Sequence, residues 1–181
     1  MKITSFRLRG LIHVLTLVFA SITLAMTATA APAKAPVKAP AFTGVTIDGK
    51  QISSTSLNGK AYIVNFFATW CPPCRSEIPD MVAIQKIWAP KGFTFIGIAV
   101  NETEPAVKGF MKSNGINYPV IMATPALVAS FNSFVEGGIS GIPTTFVIDA
   151  NGNLTNVFIG PRSREAFDQV IKASVVKRQG K

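Results

Sequence analysis

Two cysteines three residues apart, set where a strand-like run gives way to a helix-like one, constrain this chain more than any other feature. Ala61-Tyr62-Ile63-Val64-Asn65-Phe66-Phe67 is a short apolar run of the kind that forms a buried strand. Trp70-Cys71-Pro72-Pro73-Cys74 follows at once. Over residues 78–88 the apolar positions Ile78, Met81, Val82, Ile84, Ile87 and Trp88 recur at helical spacing, until Pro90 and Gly92 stop them. A helix N-terminus has unpaired N–H groups and the positive end of the dipole, which stabilise a thiolate. Cys71 is therefore expected to be the exposed nucleophile. Cys74, one helical turn inward, is expected to attack the mixed disulfide and release the partner.

Other uses of the pair fit less well. Zinc needs two further Cys or His ligands, but there is no third cysteine and the single histidine is His13. Haem attachment needs His after the second Cys, where Arg75 stands. An inert disulfide here closes a very small loop, the kind that gives least entropic stabilisation. No metal site and no cofactor are expected. Two thiolates can hold Cu(I), so a copper carrier stays as the alternative from another class.

The residues between the cysteines set the direction of the chemistry. Neither Pro72 nor Pro73 has an N–H to offer the Cys71 sulfur, which leaves the Cys74 N–H, the Cys74 thiol and the helix dipole. Arg75 adds a positive charge if it turns that way. The missing donors imply a moderately stabilised thiolate and hence a reductant, with a disulfide-forming oxidant as the other enzymatic reading. Glu77, three residues after Cys74, lies on the same helical face. It either carries a proton for Cys74 or is a solvated first-turn carboxylate favouring the dipole.

Elsewhere the pattern alternates. Residues 42–47 and 51–52 flank Asp48-Gly49, a hairpin signal. Residues 93–100 read as a second buried strand. Thr103 is placed to cap a helix that Gly115 ends, residues 118–122 read as a short strand, and Thr124-Pro125 opens another helix. Residues 144–148 and 153–159 are strands joined through Asn151-Gly152, and Ser163 caps a last helix with Glu165 in its first turn. This order predicts an α/β fold: a mixed sheet flanked by helices, with an added N-terminal β-hairpin.

The ends differ from this domain, expected over residues 41–176. Residues 1–30 have a basic start (Lys2, Arg7, Arg9), an interrupted apolar run and the small-residue exit Ala28-Thr29-Ala30. They read as a cleaved export signal in preference to a retained membrane anchor. Cleavage leaves 151 residues and lowers the net charge from +9 to +6. Residues 31–40 form an Ala/Pro/Lys linker with nothing to pack, and 177–181 a basic tail. No stretch interleaves aromatics with Arg or Lys, so no nucleic-acid partner is expected.

Gly141-Ile142-Pro143-Thr144-Thr145-Phe146-Val147-Ile148-Asp149 places a proline just before a buried strand, which marks a special backbone. Only about 5–6 % of X–Pro bonds are cis, so sequence physics alone does not choose cis for Ile142–Pro143. This segment and the segment Trp70-Cys71-Pro72-Pro73-Cys74-Arg75-Ser76-Glu77-Ile78-Pro79 together resemble the TlpA/ResA-like branch of the thioredoxin superfamily, close to redoxin and AhpC/TSA-type domains. The resemblance covers residues 41–174.

The resemblance implies a thioredoxin-like fold and an exported, periplasmic thiol–disulfide reductase without an organic cofactor, expected as a monomer. It implies that Cys71 attacks and Cys74 resolves, that Pro143 is the cis-proline lying against the disulfide, and that Ile142 and Thr144 flank a client groove. Trp70 matches the aromatic before the pair. Glu77 matches the acidic residue of ResA-like proteins, and Asn65 stands where cytoplasmic thioredoxins carry a buried Asp. Phe131, Phe134 and Val135 read as core in preference to groove. Implied clients are protein disulfides such as those of apocytochromes c or copper-site proteins, and a membrane thiol-transfer protein is the implied electron donor. A peroxidase is disfavoured, because Thr69-Trp70-Cys71 lacks the Thr-x-x-Cys spacing.

Overall fold

A computed structural model describes residues 35–176; the expected export segment and basic tail lie outside them. The central strand is β3 (Ala61–Phe67), with every residue buried. It pairs in parallel with β4 (Phe93–Ala99), from Ala61 opposite Phe93 to Phe67 opposite Ala99. On its other side it runs antiparallel to β6 (Thr144–Ile148), with Phe66 opposite Thr144. Together with β5 (Val120–Met122) and β7 (Leu154–Ile159) these strands form a mixed sheet in the order β5-β4-β3-β6-β7. A separate antiparallel pair, β1 (Thr43–Val45) and β2 (Gln51–Ser53), is the expected hairpin.

Burial on both faces explains the apolar run of β3, which Asn65 alone interrupts. Ile63 and Phe67 pack on one side with Ile78, Met81 and Ile84 of α1 (Pro72–Trp88), Val107 of α2 (Glu104–Ser113), and Phe167 and Ile171 of α4 (Arg164–Val176). Tyr62, Val64 and Phe66 pack on the other with Phe42, Ile52, Leu127 and Phe131, the last two from α3 (Pro125–Asn132). Phe131 meets Phe66 and Phe146 edge-on at 5.3 and 4.9 Å between ring centres. Phe131 and Val135 are thus core residues, as expected, and Phe134 is half-buried against them. Because β6 is antiparallel to β3, its start lies beside the end of β3, which brings Pro143 to the end of the sheet where Cys71 sits.

Four local expectations are corrected. The first hairpin turns through five residues, Thr46 to Lys50, because the Thr46 hydroxyl donates to Asp48 Oδ1 and accepts the Lys50 N–H (2.9 Å), closing a wider loop around Gly49 at φ 82°. Part of the linker does pack: Ala39 N–H donates to the Gly152 carbonyl (3.1 Å), Leu154 N–H to that of Val37 (2.8 Å), and Lys38 Nζ to that of Asn151 (2.9 Å). Thr103 occupies the cap position of α2 without a side-chain cap bond, whereas Thr124 accepts the Leu127 N–H (3.2 Å) as expected. The strand expected from Tyr118 begins at Val120; Pro119 has no N–H for the ladder and only its carbonyl is used, accepting from Gly97 N–H at 2.9 Å.

Gly97 of β4 lies between β3 and β5 with no room for a side chain. A Cβ there meets Phe67 Cε1 at 3.0 Å and Val120 Cγ2 at 3.1 Å, and both neighbours are buried. Gly97→Ala is expected to cost about 1–3 kcal/mol through overpacking. Urea unfolding of the oxidised protein checks this; an unshifted midpoint contradicts it.

Candidate active site

Cys71 is the N-cap of α1, with extended backbone (φ −85°, ψ 109°), and Pro72 and Pro73 fill the first positions of the helix. Proline suits this place, since those N–H groups have no intrahelical partner. Cys71 and Cys74 are joined in a disulfide with their Cα atoms 5.3 Å apart. The Cys74 N–H donates to Cys71 Sγ at 3.3 Å, the donor that remains once both prolines are discounted. The Arg75 N–H closes the first helical bond to the Cys71 carbonyl (3.0 Å). The Arg75 side chain turns toward other groups: Nη1 donates to the Thr69 carbonyl (3.3 Å), and the guanidinium lies 5.6 Å from the Phe110 ring centre.

The Ile142–Pro143 bond is cis, and the Ile142 carbonyl oxygen lies 3.7 Å from Cys71 Sγ. Pro143 is buried and Ile142 half-buried. Thr144 differs from its expected place at a groove: it is fully buried, and its hydroxyl donates back to the Gly141 carbonyl (2.6 Å). Cys71 is also more covered than expected. In the disulfide it is 3 % exposed, Cys74 is sealed, and Trp70 beside them is 58 % exposed. Trp70, Pro72 and Pro73, which flank or lie between the cysteines, are exposed apolar residues.

Glu77 is not a solvated carboxylate. It is 3 % exposed, one turn of α1 beyond Cys74. Asn65 Nδ2 donates to its Oε1 at 2.8 Å and also to Thr145 Oγ1 at 3.0 Å, while the Arg162 N–H donates to Oε2 at 3.2 Å. Burial pushes its carboxyl up to about 7, against the opposing pull of the Asn65 and Arg162 bonds and the Arg162 charge. A carboxyl of that kind can exchange a proton near neutral pH. Sequence spacing finds Asn65 and Glu77 separately, but not their contact, nor the Arg162 N–H, 85 positions from Glu77.

The family model described as Redoxin matches residues 34–173. The chain is a member of the redoxin family. This redoxin is 32 % identical over 136 residues to thiol-disulfide oxidoreductase ResA of Bacillus thuringiensis (strain Al Hakam), an alignment covering 75 % of each chain. It superposes with a TM-score of 0.77 and 64 % identity on the crystal structure of a thiol:disulfide interchange protein of the thioredoxin family from Chlorobium tepidum TLS, covering 80 % of this chain and 99 % of that one. A DsbF homologue from Corynebacterium diphtheriae gives 0.69 at 26 % identity, over 77 % of this chain and 87 % of that one. The redoxin is a thiol–disulfide oxidoreductase of the ResA type, with Cys71 and Cys74 as its Cys-x-x-Cys pair.

Proposed function

We propose that this redoxin is an exported reductase of client protein disulfides, working in the periplasm. The single Cys74 N–H on Cys71 Sγ carries the reading: with Pro72 and Pro73 unable to donate, the Cys71 thiolate receives one backbone hydrogen bond where an unsubstituted turn offers more. A less stabilised thiolate makes the dithiol give up its electrons more readily.

In the forward cycle the Cys71 thiolate attacks a client disulfide. One bond forms between Cys71 and the client sulfur, and the other client sulfur leaves as a thiolate that takes up a proton. Cys74 loses its proton, attacks Cys71 Sγ and forms the Cys71–Cys74 disulfide, releasing the second client sulfur as a thiol. Two electrons pass to the client, and a dithiol donor returns them. Glu77, buried one turn beyond Cys74 and titrating near neutrality, accepts the Cys74 proton in this scheme. Trp70, Pro72, Pro73 and Ile142 offer apolar surface for a client backbone, next to the cis-Pro143. Disulfides of apocytochromes c or of copper-site proteins, with a membrane thiol-transfer protein as the donor, are the partners that the ResA resemblance favours.

Equilibration against glutathione tests the direction. A reductant falls near thioredoxin, about −270 mV, and a disulfide-forming oxidant near DsbA, about −120 mV. The proposal expects the first; a value at the DsbA end overturns it. Stoichiometric copper on the reduced protein without disulfide turnover supports the carrier instead.

A further inference from the structure

Thr69 has three hydrogen-bonding groups, and all three are tied to residues distant from it in sequence or across the turn. Its N–H and its hydroxyl both donate to Glu102 Oε1, each at 2.5 Å. Its carbonyl accepts from Arg75 Nη1 at 3.3 Å. Both donors thus converge on one carboxylate oxygen. Thr69 stands two residues before Cys71 and directly before Trp70, whose exposed ring has little packing to hold it.

Glu102 is delivered to Thr69 by its own turn. Val100 N–H donates to the Phe67 carbonyl (3.0 Å), fastening the exits of β3 and β4 together. Asn101 then adopts φ 52°, the left-handed region that a non-glycine residue seldom occupies unless its surroundings fix it. The ordinary use of a carboxylate here is to favour the positive end of α2, which starts at Glu104. A residue serving only the dipole has no need to receive two donors from one residue of another loop.

We infer that Glu102 is a positioning residue for disulfide exchange: its carboxylate fixes Thr69 and thereby the aim of Trp70 and Cys71 at the start of α1. Without it the Thr69 N–H and hydroxyl turn to water, the loop loosens, and the Cys71 sulfur leaves the Cys74 N–H for part of the time. This inference rests on Cys71 as the attacking sulfur.

Removing Glu102 has two opposite effects on the Cys71 thiolate. Loss of the clamp destabilises it, while loss of a nearby negative charge stabilises it. Glu102→Gln loses the charge but keeps an acceptor oxygen; Glu102→Ala loses both. The difference between the two variants isolates positioning.

The test uses the reduced full-length protein, with iodoacetamide alkylation of Cys71 followed by peptide mass spectrometry across pH, and insulin disulfides as substrate with dithiothreitol as donor. The alkylation midpoint of Glu102→Ala is expected above that of Glu102→Gln. Its kcat/KM is expected about tenfold below wild type, with Glu102→Gln restoring most of the loss. Midpoints that move together show a charge effect alone, and unchanged profiles with a lowered thermal midpoint show a purely structural residue; either overturns the inference. Should Glu102→Ala not fold, Thr69→Val, which removes only the hydroxyl donor, is expected to raise the midpoint by a smaller amount, and no rise overturns it equally. A wild-type protein without insulin turnover breaks the reading of Cys71 itself, whereas active wild type with indifferent variants breaks this inference alone.

Discussion

Cys71→Ser lowers disulfide turnover by more than about a thousandfold, because a hydroxyl at that position supplies no thiolate for the first bond. The expected loss is this large because the one thiol left in that variant, Cys74, is sealed from solvent in the folded protein. The fold should survive. Cys71 is the N-cap of α1, and serine is among the preferred residues at that position. A variant that unfolds like the reduced parent yet has no turnover separates chemistry from stability. Residual turnover above about one per cent of wild type contradicts the assignment.

The second large effect is a dependence of stability on pH. The carboxyl of Glu77 moves from an ordinary value of 4.5 in the unfolded chain to about 7 in the folded protein, chiefly through burial. The folded state therefore holds this proton more tightly. Its stabilising share is complete below about pH 4.5 and is lost as pH rises through about 7, a difference of about 3 kcal/mol. Above that range the folded protein carries an ionised group in a poorly solvated place, offset by the bonds from Asn65 and the Arg162 N–H. Urea unfolding of the oxidised protein at pH 5 and pH 8 should show lower stability at pH 8, and Glu77→Gln should flatten that dependence. Keeping the protein oxidised prevents cysteine titration from contributing. An identical slope in Glu77→Gln assigns the pH dependence to another group.

The sequence made the sheet largely legible, because burial on both faces writes itself as a nearly continuous apolar run, and residues 61–67 form such a run with Asn65 as the one polar member. The position of Cys71 at a helix start followed from the same run ending just before two prolines. What stayed hidden is what depends on side chains meeting backbone far along the chain. The Asn65–Glu77–Arg162 contact and the Glu102–Thr69 clamp leave no periodic trace, since their partners are separated by 12 to 85 positions and belong to different elements or loops. The docking of residues 37–39 was masked for a different reason. Ala-Pro-Lys composition signals a lack of core-forming side chains, yet what anchors this segment is its backbone, paired with Gly152 and Leu154. Thr144 was misplaced because its role came from likeness, while its hydroxyl found a nearer partner in Gly141.

Cys74→Ser is the variant that shows which sulfur meets the client, because it allows the first exchange and blocks the second. Incubated with a disulfide substrate and analysed by non-reducing peptide mass spectrometry, it should accumulate a mixed disulfide on Cys71. No adduct on Cys71, or equal trapping by Cys71→Ser through Cys74, contradicts the account.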